Sequence, residues 1–152
     1  MELMERIMEH AHSGYFCSQI LMKLLLETVG EENPALVGAA GGLCGGVGFT
    51  SNTCGCLTAG ACMISYFTGK REPDGADHPL HREVLAEFVR RFTDFLTEQY
   101  GGTECMCVLH GDFSQRGRHC PQIMAFTYET VMGCWRKRIC WNDHHAAGRA
   151  DP

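Results

Sequence analysis

The sequence predicts a single all-α domain, a bundle of about five or six helices. Three observations point there. Apolar residues recur at helical spacing through most of the chain, no segment longer than a few residues alternates with period two, and Gly and Pro punctuate the pattern at intervals of one helix. At 152 residues, 45% hydrophobic and 20% charged, the chain is long enough to bury a core and too apolar to stay disordered.

The elements follow in order. Leu3, Met4, Ile7, Met8 and Ala11 mark a first helix, and after Ser13-Gly14 the pattern restarts with Cys17, Ile20, Leu21, Leu24 and Leu25. Gly30 ends the second, and Asn33-Pro34 supplies a cap and a first-turn proline for a short third element. That element runs into Gly41-Gly42-Leu43-Cys44-Gly45-Gly46-Val47-Gly48. This run lacks the P-loop Lys and the Gly-x-Gly-x-x-Gly spacing, so it reads as tight turning or close backbone approach, not phosphate binding.

From Thr53 to Thr68 nearly every residue is small or apolar, which describes a central helix buried on all sides and capped by Asn52 or Thr53. Asp74 to Asp77 is a polar turn. Pro79 opens the clearest amphipathic helix, with Val84, Leu85, Phe88, Val89, Phe92, Phe95 and Leu96 on one face, stopped by Gly101-Gly102. Residues 103–119 read as a short helical or irregular link. Cys120-Pro121 then announces the last helix, which continues through Ile123, Met124, Thr127, Tyr128, Val131, Met132 and Trp135. Residues 1–140 form the cysteine-rich helical domain, and 141–152 a polar tail expected to be mobile.

Charge and composition narrow the function. Thirteen basic residues face 18 acidic ones, a net charge of −5, and the short Arg136-Lys137-Arg138 run beside Trp135 and Trp141 complements a helix end, so nucleic acid is not expected as a partner. The amino terminus has no signal-peptide pattern and no stretch is apolar enough for a membrane span, so the expected location is the cytoplasm. In such a reducing compartment, ten cysteines among 152 residues suggest metal or redox chemistry over a disulfide scaffold. None of them forms Cys-x-x-Cys, which excludes a thioredoxin motif, a c-type haem site, a zinc ribbon and a bacterial ferredoxin.

Several cysteines fall at expected helix starts. Cys54 follows the cap and Cys120 precedes a first-turn proline, so free N–H groups and the positive dipole end should favour both thiolates. Cys105 follows Gly101-Gly102-Thr103-Glu104, and Cys17 lies near the start of its own helix. Cys56 and Cys107 form Cys-x-Cys pairs with Cys54 and Cys105 and are candidate accessory ligands or resolving thiols. Cys44, Cys62 and Cys134 read as packing residues, since free cysteine often behaves as a small hydrophobe.

Together these blocks resemble the redox-active protein family named for its C…GCAxxG…C…C pattern. The resemblance rests on Gly14-Tyr15-Phe16-Cys17-Ser18-Gln19, the glycine run closing at Gly48, Thr53-Cys54-Gly55-Cys56-Leu57-Thr58-Ala59-Gly60, Cys105 to Gly111, and Cys120. Carried over, the recurring cysteines would be Cys17, Cys54, Cys105 and Cys120, with Cys56 where a small residue is commoner and Gly60 later than the pattern places it. The family looks like a relative of the domain in split-Soret cytochromes. That implies a four-cysteine pocket for an iron–sulfur cluster, serving electron transfer or redox sensing with an electron donor or acceptor as partner. Haem attachment is not implied, because Cys-x-x-Cys-His is missing.

Two other readings stand beside it. One is metal-free thiol–disulfide chemistry pairing Cys54 with Cys17 or Cys120. The other is zinc held by cysteine with His110, His119 or the His144-His145 pair, although zinc sites usually bring a closely spaced ligand pair. Whether any activity is enzymatic stays open. Gly55 and Gly60 on the central helix would also let a second copy approach as a homodimer.

Overall fold

The computed structural model of the chain describes residues 2–138, with side chains as far as Cys134. Among them stand seven α-helices: α1 (Leu3–His12), α2 (Cys17–Val29), α3 (Pro34–Ala40), α4 (Gly55–Thr68), α5 (His81–Tyr100), α6 (Cys105–Leu109) and α7 (Arg116–Arg138). Two 3-10 turns, Gly41–Leu43 and Phe113–Gln115, complete the set, and there is no strand among the described residues. The count exceeds the expected five or six because the 103–119 link contains the five-residue α6. No described helix is long and apolar enough to cross a membrane. Residues 141–152, with His144, His145 and Trp141, lie outside the described residues, as does Cys140, and so does the expectation of a mobile tail.

The centre is α4, which packs on α2, α5 and α7. It is not buried on every side as its composition suggests: Ala59, Gly60, Met63, Ile64 and Phe67 face inward while Cys62 is exposed. Around it, Val84, Phe88, Phe92 and Leu96 of α5 are fully buried, each contributing roughly 1.5–3 kcal/mol. Val89, expected on the same stripe, is 40% exposed, so the stripe is narrower than its hydrophobic residues imply. Phe95 stacks on Phe126 of α7 with ring centroids 3.9 Å apart, and Tyr128 of α7 shares a 2.7 Å hydrogen bond with Thr28 of α2.

The two close approaches of α4 depend on glycine. A Cβ at Gly60 would lie 2.2 Å from the Phe88 ring and 2.9 Å from Thr127, and a Cβ at Gly55 would lie 2.8 Å from the Leu43 carbonyl oxygen. Both glycines therefore serve packing within the chain.

Two helix starts differ from the sequence expectation. Cys54 is itself the cap residue of α4, because Asn52 and Thr53 are held in backbone pairing with another segment. The last helix begins at Arg116, not at Cys120, because the 3-10 turn 113–115 runs directly into it. The effective cap is Asp112, whose carboxylate accepts from the Ser114 N–H at 3.0 Å. Pro121 thus sits inside α7, in its second turn, where the ladder loses one bond.

Replacing Gly60 by Ala tests the α4–α5 approach. Helix propensity alone would favour alanine by about 1 kcal/mol, whereas the buried clash is expected to cost about 1–3 kcal/mol net, read as a lower melting temperature in thermal denaturation. A variant as stable as the parent would mean that Phe88 can yield.

Candidate functional site

Four chain segments bring thiols to one cavity of about 340 Å3. Cys17 opens α2, Cys54 and Cys56 stand at the start of α4, Cys105 opens α6, and Cys120 comes from the second turn of α7. All five line the cavity. Cys107 does not: its Sγ lies over Gly102, 2.8 Å from where a Cβ would stand. Cys62 and Cys134 lie elsewhere, and of the histidines among the described residues only His12 lines the cavity. His110 is exposed, and the His119 ring meets Tyr100 edge-on.

Backbone hydrogen bonds align these segments. Thr53 and Glu104 form an isolated antiparallel bridge, in which the Cys54 N–H donates to the Thr103 carbonyl at 2.9 Å and the Cys105 N–H to the Asn52 carbonyl at 2.7 Å. That clamp sets the starts of α4 and α6 side by side. The glycine run closes over them: a Cβ at Gly46 would lie 2.5 Å from the Asn52 nitrogen and 2.8 Å from Cys105 Cβ. From Gly45 to Phe49 every residue is left-handed, Val47 and Phe49 included, with φ of 65° and 62°. Such a conformation costs of order 1–3 kcal/mol for each non-glycine residue and persists only where the surroundings impose it. Here Phe49 is held edge-on between Phe16 and Phe113, at 5.1 and 5.8 Å.

The thiols differ in acidity for local reasons. Cys17 lies well below the ordinary thiol range because the thiols of Cys44 and Cys56 donate to its sulfur, helped by the Gly45 and Ser18 N–H groups and opposed by burial. Cys54 is also lowered, first by the Cys56 thiol and then by the N–H groups of Cys56 and Leu57 at the start of α4. Cys56 and Cys44 are raised in turn, since each gives its proton to a neighbour. Burial pushes Cys105 up to about 11, with the charges of Cys54 and Cys17 adding to it. Cys120 is raised too, chiefly by burial. That reverses the expectation of a favoured thiolate there, because Cys120 lies past the free N–H groups of its helix.

Cys44 is the thiol whose role the sequence did not reveal. It is 1% exposed and looks like core, yet it contacts Cys17, and its Sγ lies 2.9 Å from the Ser18 hydroxyl, which also donates to the Ala40 carbonyl at 2.8 Å. Only its place in the glycine run hinted at more than packing. Among the described residues no three Cys, His, Asp or Glu side chains are grouped closely enough to hold a single metal ion.

These acidities predict a pH signature in reduced, metal-free protein. Alkylation of Cys17 by iodoacetamide should fall less steeply as pH drops from about 8 to about 6 than that of exposed Cys62, which is raised by partial burial and should fall about tenfold per unit. Peptide mass mapping of the labelled sites reads both. A Cys17 rate that falls in step with Cys62 would remove the thiolate assignment.

Comparison with known proteins supplies one match. The family model described as "Putative redox-active protein (C_GCAxxG_C_C)" matches residues 15–134. No curated protein and no solved structure matches the chain. Laid on the sequence by both of its glycines, the GCAxxG element falls on Gly55-Cys56-Leu57-Thr58-Ala59-Gly60, with Leu57 in place of alanine. In that register the element's cysteine is Cys56, two residues after the Cys54 of the carry-over above. The two glycines are the ones that packing demands, Gly55 against Leu43 and Cys17, and Gly60 against Phe88. With four-fifths of its length matched and the motif glycines accounted for by packing, the chain belongs to the C_GCAxxG_C_C family of redox-active proteins.

Proposed function

We infer that the cysteine-lined cavity is a redox centre that holds an iron–sulfur cluster for electron transfer or redox sensing. The observation that carries this reading is the convergence of Cys17, Cys54, Cys56, Cys105 and Cys120 from four segments on one cavity. The donor set fits the group. Iron–sulfur clusters are held by four thiolates, and hydrogen bonds to sulfur tune their potential. Cys17, Cys105 and Cys120 would supply three ligands, and the Cys54–Cys56 pair the fourth, with Cys56 the choice favoured by the spacing of Gly55 and Gly60. Bound there, a cluster would supply one-electron transfer.

The chain's own residues prepare the site. The N–H groups of Gly45, Ser18, Cys56 and Leu57 already donate to the Cys17 and Cys54 sulfurs and offset part of their charge. Among the described residues no carboxylate lines the cavity to repel thiolates. Phe16, Phe49 and Phe113 pack edge to face along its wall, where apolar rings limit the access of water.

A second reading has its own observation, the contact of Cys17 with the thiols of Cys44 and Cys56. In it, the Cys17 thiolate attacks a small-molecule disulfide, forming a mixed disulfide and expelling one thiolate. The Cys56 thiol loses its proton and attacks the Cys17 sulfur, expelling the second thiolate, so that the dithiol is oxidised by two electrons and the substrate reduced.

Anaerobic purification with iron and acid-labile sulfide measured per chain separates the two. Stoichiometric iron and sulfide are expected, falling to below about half in Cys17→Ser, Cys56→Ser and Cys120→Ser and persisting in Cys54→Ser and Cys62→Ser. Iron content unchanged in Cys17→Ser and Cys120→Ser would remove the cluster. No iron, together with loss of two free thiols on oxidation, would establish thiol–disulfide chemistry.

A further inference from the structure

The thiols make only part of the cavity wall. Much of the remainder is apolar, built from Met8 and Ala11 of α1, Ile20 of α2, Leu109 of α6, and Ile123 and Met124 of α7. A volume of about 340 Å3 falls within the range of small-molecule sites, about 300–1,000 Å3, which pair an apolar lining with a few placed polar groups.

Apart from the Cys17 and Cys54 thiolates, the charged groups at this cavity run against the rest of the molecule. The chain carries 18 acidic residues against 13 basic, yet among the described residues no Asp or Glu lines the cavity, and its basic lining residues are His12 and Arg116. Both are exposed, so they stand at the mouth, whereas Ile20, Leu109, Ile123 and Met124 are buried. Arg116 is held in place. Its guanidinium lies over the Phe16 ring, 5.4 Å from the centroid, and donates one hydrogen bond to the Phe113 carbonyl at 2.8 Å. Among the described residues no carboxylate pairs with it. A guanidinium has five N–H donors in a planar fork, so the rest remain available to an oxyanion. Arg116 is also the first residue of the 23-residue α7, whose N-terminal end adds positive potential.

We propose that the cavity binds a small organic anion, its carboxylate-type head on Arg116 and its apolar body among Met8, Ile123 and Met124, beside the thiols. A neutral head would leave the positioned guanidinium unused, and at the mouth a cationic head would meet Arg116 and the end of α7 with like charge. This deepens the redox reading by naming the class of molecule that reaches the centre, but binding itself is measured without reference to iron.

The test titrates the full-length, anaerobically purified protein with octanoate, 1-octanol and octylammonium in a calorimeter, three ligands of one chain length and different head charge. Octanoate should bind about tenfold tighter than octanol, with octylammonium weakest. Arg116→Gln should bring octanoate to the level of octanol, Arg116→Lys should keep part of the difference, and Ala11→Trp should weaken all three by filling the chamber. Arg116 is exposed, so its replacement is not expected to unfold the protein, and the head-group series on the unaltered chain reads the proposal with no variant at all. Equal affinity for the three heads, no binding of any, or an octanoate affinity unmoved by Arg116→Gln would overturn it. Iron measured on the same samples keeps the two readings apart: a protein that holds iron but ignores octanoate refutes this inference alone.

Discussion

The approach of α4 to its neighbours at Gly55 and Gly60 is the constraint on which the remaining structure depends. At Gly60 the helix comes so near α5 and α7 that a methyl group would overlap Phe88 and Thr127. At Gly55 its first turn comes so near the glycine run that a methyl group would touch both the Leu43 carbonyl and the Cys17 sulfur. The first contact fixes the depth of the helix in the bundle, and the second fixes what meets its positive end. Since interiors are close-packed and yield little, a helix held at two points one turn and a half apart has no freedom to move its cysteines.

The thiols inherit that rigidity. Cys54 and Cys56 are carried by α4, Cys105 is tied to the same place by the Thr53–Glu104 bridge, and Cys17 is pressed against Gly55. Close spacing separates their acidities. Where thiols share a small volume, one is held as thiolate by the protons of its neighbours, and the neighbours are raised by the same hydrogen bonds. Hence Cys17 and Cys54 fall while Cys44 and Cys56 rise. Such a ring of unequal thiols suits cluster ligation and thiol exchange alike, and the apolar chamber beside it gives a second component somewhere to bind.

Strain in the glycine run belongs to the same arrangement. Three non-glycine residues, Val47, Phe49 and Ser51, hold positive φ, and Val47 is β-branched and 45% exposed, so its own side chain gains little from the conformation. What holds it is the backbone contact of Gly46 with Asn52 and the seating of Phe49 between two rings. The run sits in strain against the segment that bears Cys105, as is common where a backbone closes over a functional site.

Local chemistry in the sequence determined the all-α class, the long α5 with its Gly101 stop, the short α3 behind Asn33-Pro34, and the placing of cysteines at helix starts for α2, α4 and α6. Each of these rests on near neighbours: periodicity, caps and the freedom of glycine act within a few residues. Tertiary structure alone decided the rest. Pro121 resembles a helix start, but Asp112 had already capped the element, leaving Cys120 within α7 and its thiol raised by burial. Asn52 and Thr53 resemble caps, but their backbone is spent on residues 103–105, more than fifty positions away. Cys44 resembles core until Cys17 is seen against it. In each case the deciding partner lies far off in the chain, where no local pattern carries its position.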